Sequence, residues 1–86
     1  MAIVMIRYWA AAKEAAGVAD EALDAGTLSE ALAAALGRRG GDQRLQSVFA
    51  RSSFLVDGVQ VGTRPAAEVT LPEAAVIEVL PPFAGG

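Results

Sequence analysis

The residues of this sequence best suited to chemistry stand at its end, where Val76-Ile77-Glu78-Val79-Leu80 runs into Pro81-Pro82-Phe83-Ala84-Gly85-Gly86. The apolar run predicts a strand. Two prolines then fix φ and remove two amide donors, so the ladder stops and the chain leaves the sheet extended and semi-rigid. At about 3.3 Å per residue, such a tail reaches roughly 15–20 Å from the sheet. Gly85 and Gly86 carry no side chains, so the segment can thread a passage only as wide as a backbone, with its terminal carbonyl open to attack from any direction. These are the properties of an acyl-transfer substrate. A free carboxylate is a poor electrophile, because its charge repels nucleophiles and oxide is a bad leaving group. Conversion to an acyl adenylate, using ATP and Mg²⁺, supplies a leaving group that sulfur, an amine or water can displace. The sequence has no Gly-rich phosphate loop, so a separate enzyme must perform that activation. Phe83, placed beyond the prolines, reads as an exposed aromatic anchor for a partner pocket.

Little else in the composition can do chemistry. The 86 residues include no Cys and no His, which excludes disulfides, thiolate nucleophiles, imidazole bases and nearly every structural zinc site. Ser52-Ser53 and Lys13 have the residue types of a Ser–Lys nucleophile, but no spacing joins them. The net charge of −3 opposes nucleic-acid binding, which needs a surplus of Lys and Arg to displace counterions. Lys13, Arg7, Arg38, Arg39, Arg44, Arg51 and Arg64 are scattered, with one adjacent pair, and form no polybasic stripe for anionic lipid. Arg7, Arg51 and Arg64 are candidates for pairing with acidic groups on a soluble partner. The stretch from Met1 to Ala12 is broken by Arg7 and has no basic n-region, so neither a signal peptide nor a membrane span is expected. The expectation is a cytoplasmic protein. With 53% hydrophobic and 20% charged residues, the chain is too apolar for a disordered tail and fits one packed domain of marginal stability.

The elements that must hold the tail follow from periodicity. Ile3-Val4-Met5-Ile6, continuing through Arg7-Tyr8-Trp9, reads as a central strand buried on both faces, with Tyr8 and Trp9 pointing to opposite sides. Ala10 to Ala16 is a short Ala-rich helix closed by Gly17, and Glu21 to Asp24 is a short strand. Thr27-Leu28-Ser29-Glu30 has the pattern of a capping box. It opens a helix whose stripe is Leu28, Ala31, Leu32, Ala35 and Leu36, ended at Gly37. Arg38 to Gly41 is a loop, and Leu45, Val48 and Phe49 are spaced as a second apolar helix face. Phe54 to Val61 is a hairpin around Asp57-Gly58, with a type I′ turn. In that register Val56 meets Val59 and Phe54 meets Val61, four apolar side chains on one face, with Leu55 and Gln60 on the other. A short strand is expected at Val69-Thr70-Leu71, and the final strand at Val76 to Leu80. With no repeat and no linker, the chain reads as one α+β domain.

Taken together, these residues resemble the MoaD family, the small subunits of molybdopterin synthase, which are β-grasp sulfur carriers related to ubiquitin and to the thiamine carrier ThiS. The likeness spans the chain: the opening strand ending in Arg7-Tyr8-Trp9, the Ala-rich helix, the capped helix at Leu28, the Val-Asp-Gly-Val hairpin and the tail. The Pro-Pro-aliphatic-x-Gly-Gly ending favours MoaD over ThiS, although Phe83 stands where Val is commoner. Glu73-Ala74-Ala75 replaces the family's usual Gly-Asp-Glu before the last strand. The resemblance implies a β-grasp domain over residues 1–81 and an extended Gly-Gly tail over 82–86. It also implies that Gly86 is adenylated by a MoeB-like enzyme, which uses the ATP and Mg²⁺, and then becomes a thiocarboxylate. Pro81, Pro82, Phe83, Ala84 and Gly85 would engage the large subunit, MoaE, where sulfur passes to a cyclic pyranopterin precursor of the molybdenum cofactor. On that reading the chain binds no cofactor itself, and the catalytic residues lie on its partners. Two alternatives stay open: a carrier of sulfur to thiamine, cysteine or a thiolated natural product, and a ubiquitin-like modifier in which Gly86 is joined to a lysine.

Overall fold

The computed structural model describes residues 2–82. Its strands are β1 (Ile3–Tyr8), β2 (Asp20–Asp24), β3 (Ser53–Val56), β4 (Val59–Gln60) and β5 (Val76–Leu80). Its helices are α1 (Ala11–Ala16), α2 (Leu28–Gly37) and α3 (Gln43–Arg51), and a 3-10 turn covers Ala66–Glu68. The strands form one sheet in the order β2-β1-β5-β3-β4. β1 and β5 are parallel, with Met5 opposite Val76 and Tyr8 opposite Val79, while the β1–β2, β3–β5 and β3–β4 pairs are antiparallel. This mixed sheet, with helices packed on it, is the expected α+β architecture of a β-grasp domain.

The helices form because their apolar residues recur at helical spacing and their ends are capped. Glu30 donates its amide to the Thr27 hydroxyl at 3.2 Å, and Asp42 accepts the amides of Arg44 and Leu45 at 2.8 and 3.3 Å, each cap satisfying donors that the helix leaves unpaired. Leu28, Ala31 and Ala35 of α2 and Leu45, Val48 and Phe49 of α3 meet Val4, Ile6, Tyr8, Leu23, Ile77 and Val79 of the sheet in one buried cluster. Ile6, Leu23, Leu28, Leu45 and Ile77 are fully buried, each worth about 1.5–3 kcal/mol of transfer free energy.

Several expectations need correction. β1 is internal to the sheet, but it is not buried on both faces: Val4, Ile6 and Tyr8 are buried, whereas Ile3 is 53% exposed and Arg7 is exposed. Three short helices cover one face, and Ile3, Met5 and Arg7 lie on the other. In the hairpin, Asp57 and Gly58 take φ of 50° and 82° as a type I′ turn requires. Val56 faces Val59 as expected, and Val61 donates to the Phe54 carbonyl at 3.0 Å. Val61 is buried, but Val59, on a two-residue edge strand, is 63% exposed and does not join the apolar face. Val69-Thr70-Leu71 is not a strand. It makes a single bridge between Thr70 and Thr27, although Val69 and Leu71 are buried. Glu30 accepts from the amide of Gly26 at 2.7 Å, one residue before the helix cap, so the capping box closes one residue early. Gly37 is the last residue of α2, and the left-handed backbone that follows falls at Gly40 and Gly41.

Candidate functional site: the root of the tail

β5 is the strand that precedes the tail in sequence, and it is held on both sides through Val79. Val79, fully buried, faces Tyr8 across the parallel ladder and Phe54 across the antiparallel one. Leu80 pairs with Ser53, and the Trp9 amide donates to the Val79 carbonyl at 3.3 Å. Beyond Leu80 the prolines have no amide to give, and pairing ends there. Pro81 is half-buried and Pro82 exposed, so the chain departs between the end of β1 and the start of β3. Phe83, Ala84, Gly85 and Gly86 lie outside the described residues.

The surroundings of this exit are set by β1. Its alternation sends Tyr8 inward and leaves Trp9 48% exposed, as their opposite orientation predicts. The Trp9 indole donates Nε1–H to Glu78 Oε1 at 3.2 Å, which ties the ring to the last strand on the sheet face that the helices leave open. Tyr8 stacks on Phe49 with ring centroids 6.5 Å apart, and Phe49 meets Phe54 at 6.3 Å, so an aromatic row backs the end of β5.

Behind that row is a polar cluster that sequence reasoning did not find. Glu21 on β2 accepts a hydrogen bond from the Tyr8 hydroxyl and pairs with Arg39 at 2.8 Å and Arg38 at 3.1 Å. Arg39 also donates to the carbonyls of Ala16 at 2.9 Å and Ala35 at 2.7 Å, and its guanidinium lies 5.6 Å from the centre of the Tyr8 ring. Burial works against the charge on Glu21, but the hydrogen bonds from Arg39, Tyr8 and Arg38 outweigh it and hold its pKa below the usual carboxylate value. Burial first, and then the Glu21 carboxylate, push the Tyr8 phenol up. The hydrogen bond to Glu21 raises Arg39 further. Both Tyr8 and Arg39 therefore keep their protons throughout the physiological range, and the cluster clamps β1, β2 and the ends of α1 and α2. Its members are far apart in sequence, and only the strand register brings Glu21 beside Tyr8.

Of the remaining candidates, Ser52, Arg51 and Arg64 have structural partners. The Ser52 hydroxyl donates to the Val48 carbonyl at 2.7 Å, at the C-terminal end of α3. Arg51 donates to Ser47 within its own helix, and Arg64 donates to the carbonyls of Val61 and Gln60. Arg7 is exposed on the open face, in register with Asp20 on one side and Glu78 on the other. Among the described residues no three carboxylates gather as metal ligands, and no helix is long and apolar enough to cross a membrane.

No protein-family model matches the sequence, and no curated protein matches it. Solved structures do match in fold. The small archaeal modifier protein 1 of Methanosarcina acetivorans is similar over 100% of this chain and 98% of its own, at 22% identity and a TM-score of 0.82. A putative molybdopterin converting factor subunit 1 of Pyrococcus furiosus is similar over 96% of this chain and 100% of its own, at 17% identity and a TM-score of 0.75. A chain of the protein–protein complex of subunits 1 and 2 of the molybdopterin-converting factor of Helicobacter pylori matches over 98% of this chain and 99% of its own, at 23% identity and a TM-score of 0.68. A small archaeal modifier protein and molybdopterin converting factor subunits thus share this β-grasp fold with the chain described here.

Proposed function

We propose that this chain is a sulfur carrier, the small subunit of a molybdopterin synthase, and that its reactive group is the α-carboxylate of Gly86. The observation that carries the reading is the exit geometry: a strand paired on both sides through Val79 and on the β3 side at Leu80, two prolines that end the ladder, and a following sequence that narrows to Gly85-Gly86. A strand so fixed delivers the tail in one direction, which lowers the ordering cost when a partner receives it. The likeness to molybdopterin converting factor subunits supports this assignment.

On this reading a MoeB-like enzyme adenylates Gly86 with ATP and Mg²⁺, releasing pyrophosphate, and a sulfur donor then displaces AMP to leave a thiocarboxylate. The tail inserts into a large subunit of the MoaE kind, where the sulfur attacks a cyclic pyranopterin precursor and Gly86 returns as a carboxylate after hydrolysis. Pro81 and Pro82 keep the segment extended, Phe83 anchors it, and Ala84 and Gly85 pass through the narrowest part. No side chain of this chain takes or gives a proton in the sequence, which accords with the lack of Cys and His. A cytoplasmic setting, where these partners and ATP occur together, belongs to the same proposal.

The test is sulfur transfer with purified partners. The thiocarboxylated wild type loses its sulfur when the large subunit and the pterin precursor are added. Gly85→Val keeps the wild-type circular dichroism and thermal midpoint but transfers more slowly by about a hundredfold, because a branched side chain cannot follow the glycine path and misplaces the reacting atom. Transfer by Gly85→Val at the wild-type rate would show that the passage is not narrow and would overturn the role assigned to the tail.

The second reading, a ubiquitin-like modifier, draws on the likeness to the small archaeal modifier protein. It uses the same activated Gly86 with an amine in place of sulfur, and covalent adducts that depend on Gly86 distinguish it.

A further inference from the structure

Lys13 is the single lysine of the sequence, and it is exposed on α1. Because β1 and β5 are parallel, with Tyr8 opposite Val79, α1 begins at the same end of the sheet from which the tail departs. There Lys13 lines a recess of about 260 Å³ with Arg7, Tyr8, Trp9, Ala19 and Asp20. We propose that this recess receives the tail of a second copy of the chain, and that Lys13 Nζ is the acceptor on which its activated Gly86 forms an isopeptide bond. The proposal rests on the activation of Gly86 argued above.

The walls suit that occupant. The half-exposed Trp9 indole offers an apolar surface for Phe83 of the incoming tail. Arg7 gives the recess a positive charge suited to the phosphate of an acyl adenylate, and Asp20 brings a carboxylate into the same recess. In the reaction, Lys13 loses one proton to water and attacks the Gly86 carbonyl carbon with the freed nitrogen lone pair. The carbon–nitrogen bond forms, the bond from that carbon to the phosphate oxygen breaks, and AMP leaves with the electron pair. The second proton of the attacking nitrogen passes to water. The co-reactant is the ATP already consumed by the adenylating enzyme, and nothing is oxidised or reduced. Arginine guanidinium groups stay protonated and cannot compete, so every side-chain linkage between copies passes through Lys13, and repeated reaction gives chains of one linkage type.

The experiment uses the full chain, a MoeB-type adenylating enzyme, ATP and Mg²⁺, with no sulfur donor. Pyrophosphate exchange reports activation of Gly86, and intact mass reports adducts at twice the chain mass less one water. Digestion after glutamate releases residues 1–14 carrying residues 79–86, because Glu14 and Glu78 bound these segments. Fragmentation then assigns the branch to Lys13 or to the α-amine of Met1. The expected result is exchange together with a Lys13 branch. Lys13→Arg should retain exchange and lose adduct by at least about tenfold, since arginine keeps the charge but not the nucleophile. Trp9→Ala should slow adduct formation about fivefold by removing the apolar wall. Exchange without adduct, or adduct undiminished in Lys13→Arg, overturns the assignment of Lys13 while leaving the carrier reading intact. Absence of exchange overturns the carrier reading itself, and the proposal with it.

Discussion

Glu21 is the residue on which the interior behind the tail root depends. Its side chain is only 12% exposed and holds Tyr8, Arg38 and Arg39 at once. Replacing it with Gln keeps the shape but leaves the Arg39 charge without its partner, which should cost about 1–3 kcal/mol in urea unfolding at pH 7. The same side chain sets an acid limit. Its folded pKa lies below the ordinary value of 4.5, so the stability it contributes is complete above the unfolded pKa and is lost as pH falls through the folded one. Wild type should therefore lose more stability than Glu21→Gln between pH 6 and about pH 3. Equal losses would mean that the carboxylate is not what the two arginines and the tyrosine hold. None of this was legible in the sequence, where Arg38-Arg39 reads as part of a loop and Glu21 as the first residue of a short strand. The tail differs in being local: prolines and glycines state their backbone effect without knowledge of the fold.

At the scale of elements, β5 must be fixed at its start as well as at its end. Asp57 supplies that fixation. Its amide donates to the Val76 carbonyl at 2.8 Å, and its Oδ1 accepts the Val76 amide at 2.9 Å, while its own φ of 50° forms the hairpin turn. Asp57→Ala loses the side-chain acceptor and places an alanine in left-handed backbone, and should cost about 1–3 kcal/mol by chemical denaturation. Asp57→Asn keeps an acceptor and tolerates positive φ, so it should cost less than half as much. Asp-Gly between two apolar runs made the turn legible in the sequence. The second use of the aspartate was not, because the turn lies nineteen residues from Val76 and nothing local says which strand will lie beside it. Val69 to Leu71 misleads for a related reason: its alternation reflects burial of Val69 and Leu71 against the core, with one bridge to Thr27 and no ladder.

For the whole molecule, the sheet divides into a covered and an open face. The helices use one face to build the core, and the other carries Ile3, Met5, Arg7 and Glu78, of which Arg7 and Glu78 lie towards the tail exit. Sequence periodicity made the strands and helices legible but misjudged this division, because Ile3 and Met5 keep the opening run apolar on a face that no helix covers. Chain length is the physical clue, since three short helices cannot cover both faces of a five-stranded sheet. The central claim is that this scaffold exists to present Gly86. The direct measurement is intact mass after incubation with a MoeB-type enzyme, ATP and a sulfur donor. Wild type should gain the mass difference of one sulfur replacing one oxygen, only when ATP is present, and a chain lacking Gly86 should gain nothing. An unchanged wild-type mass under conditions that thiocarboxylate a known carrier, or the same gain without Gly86, would contradict the account.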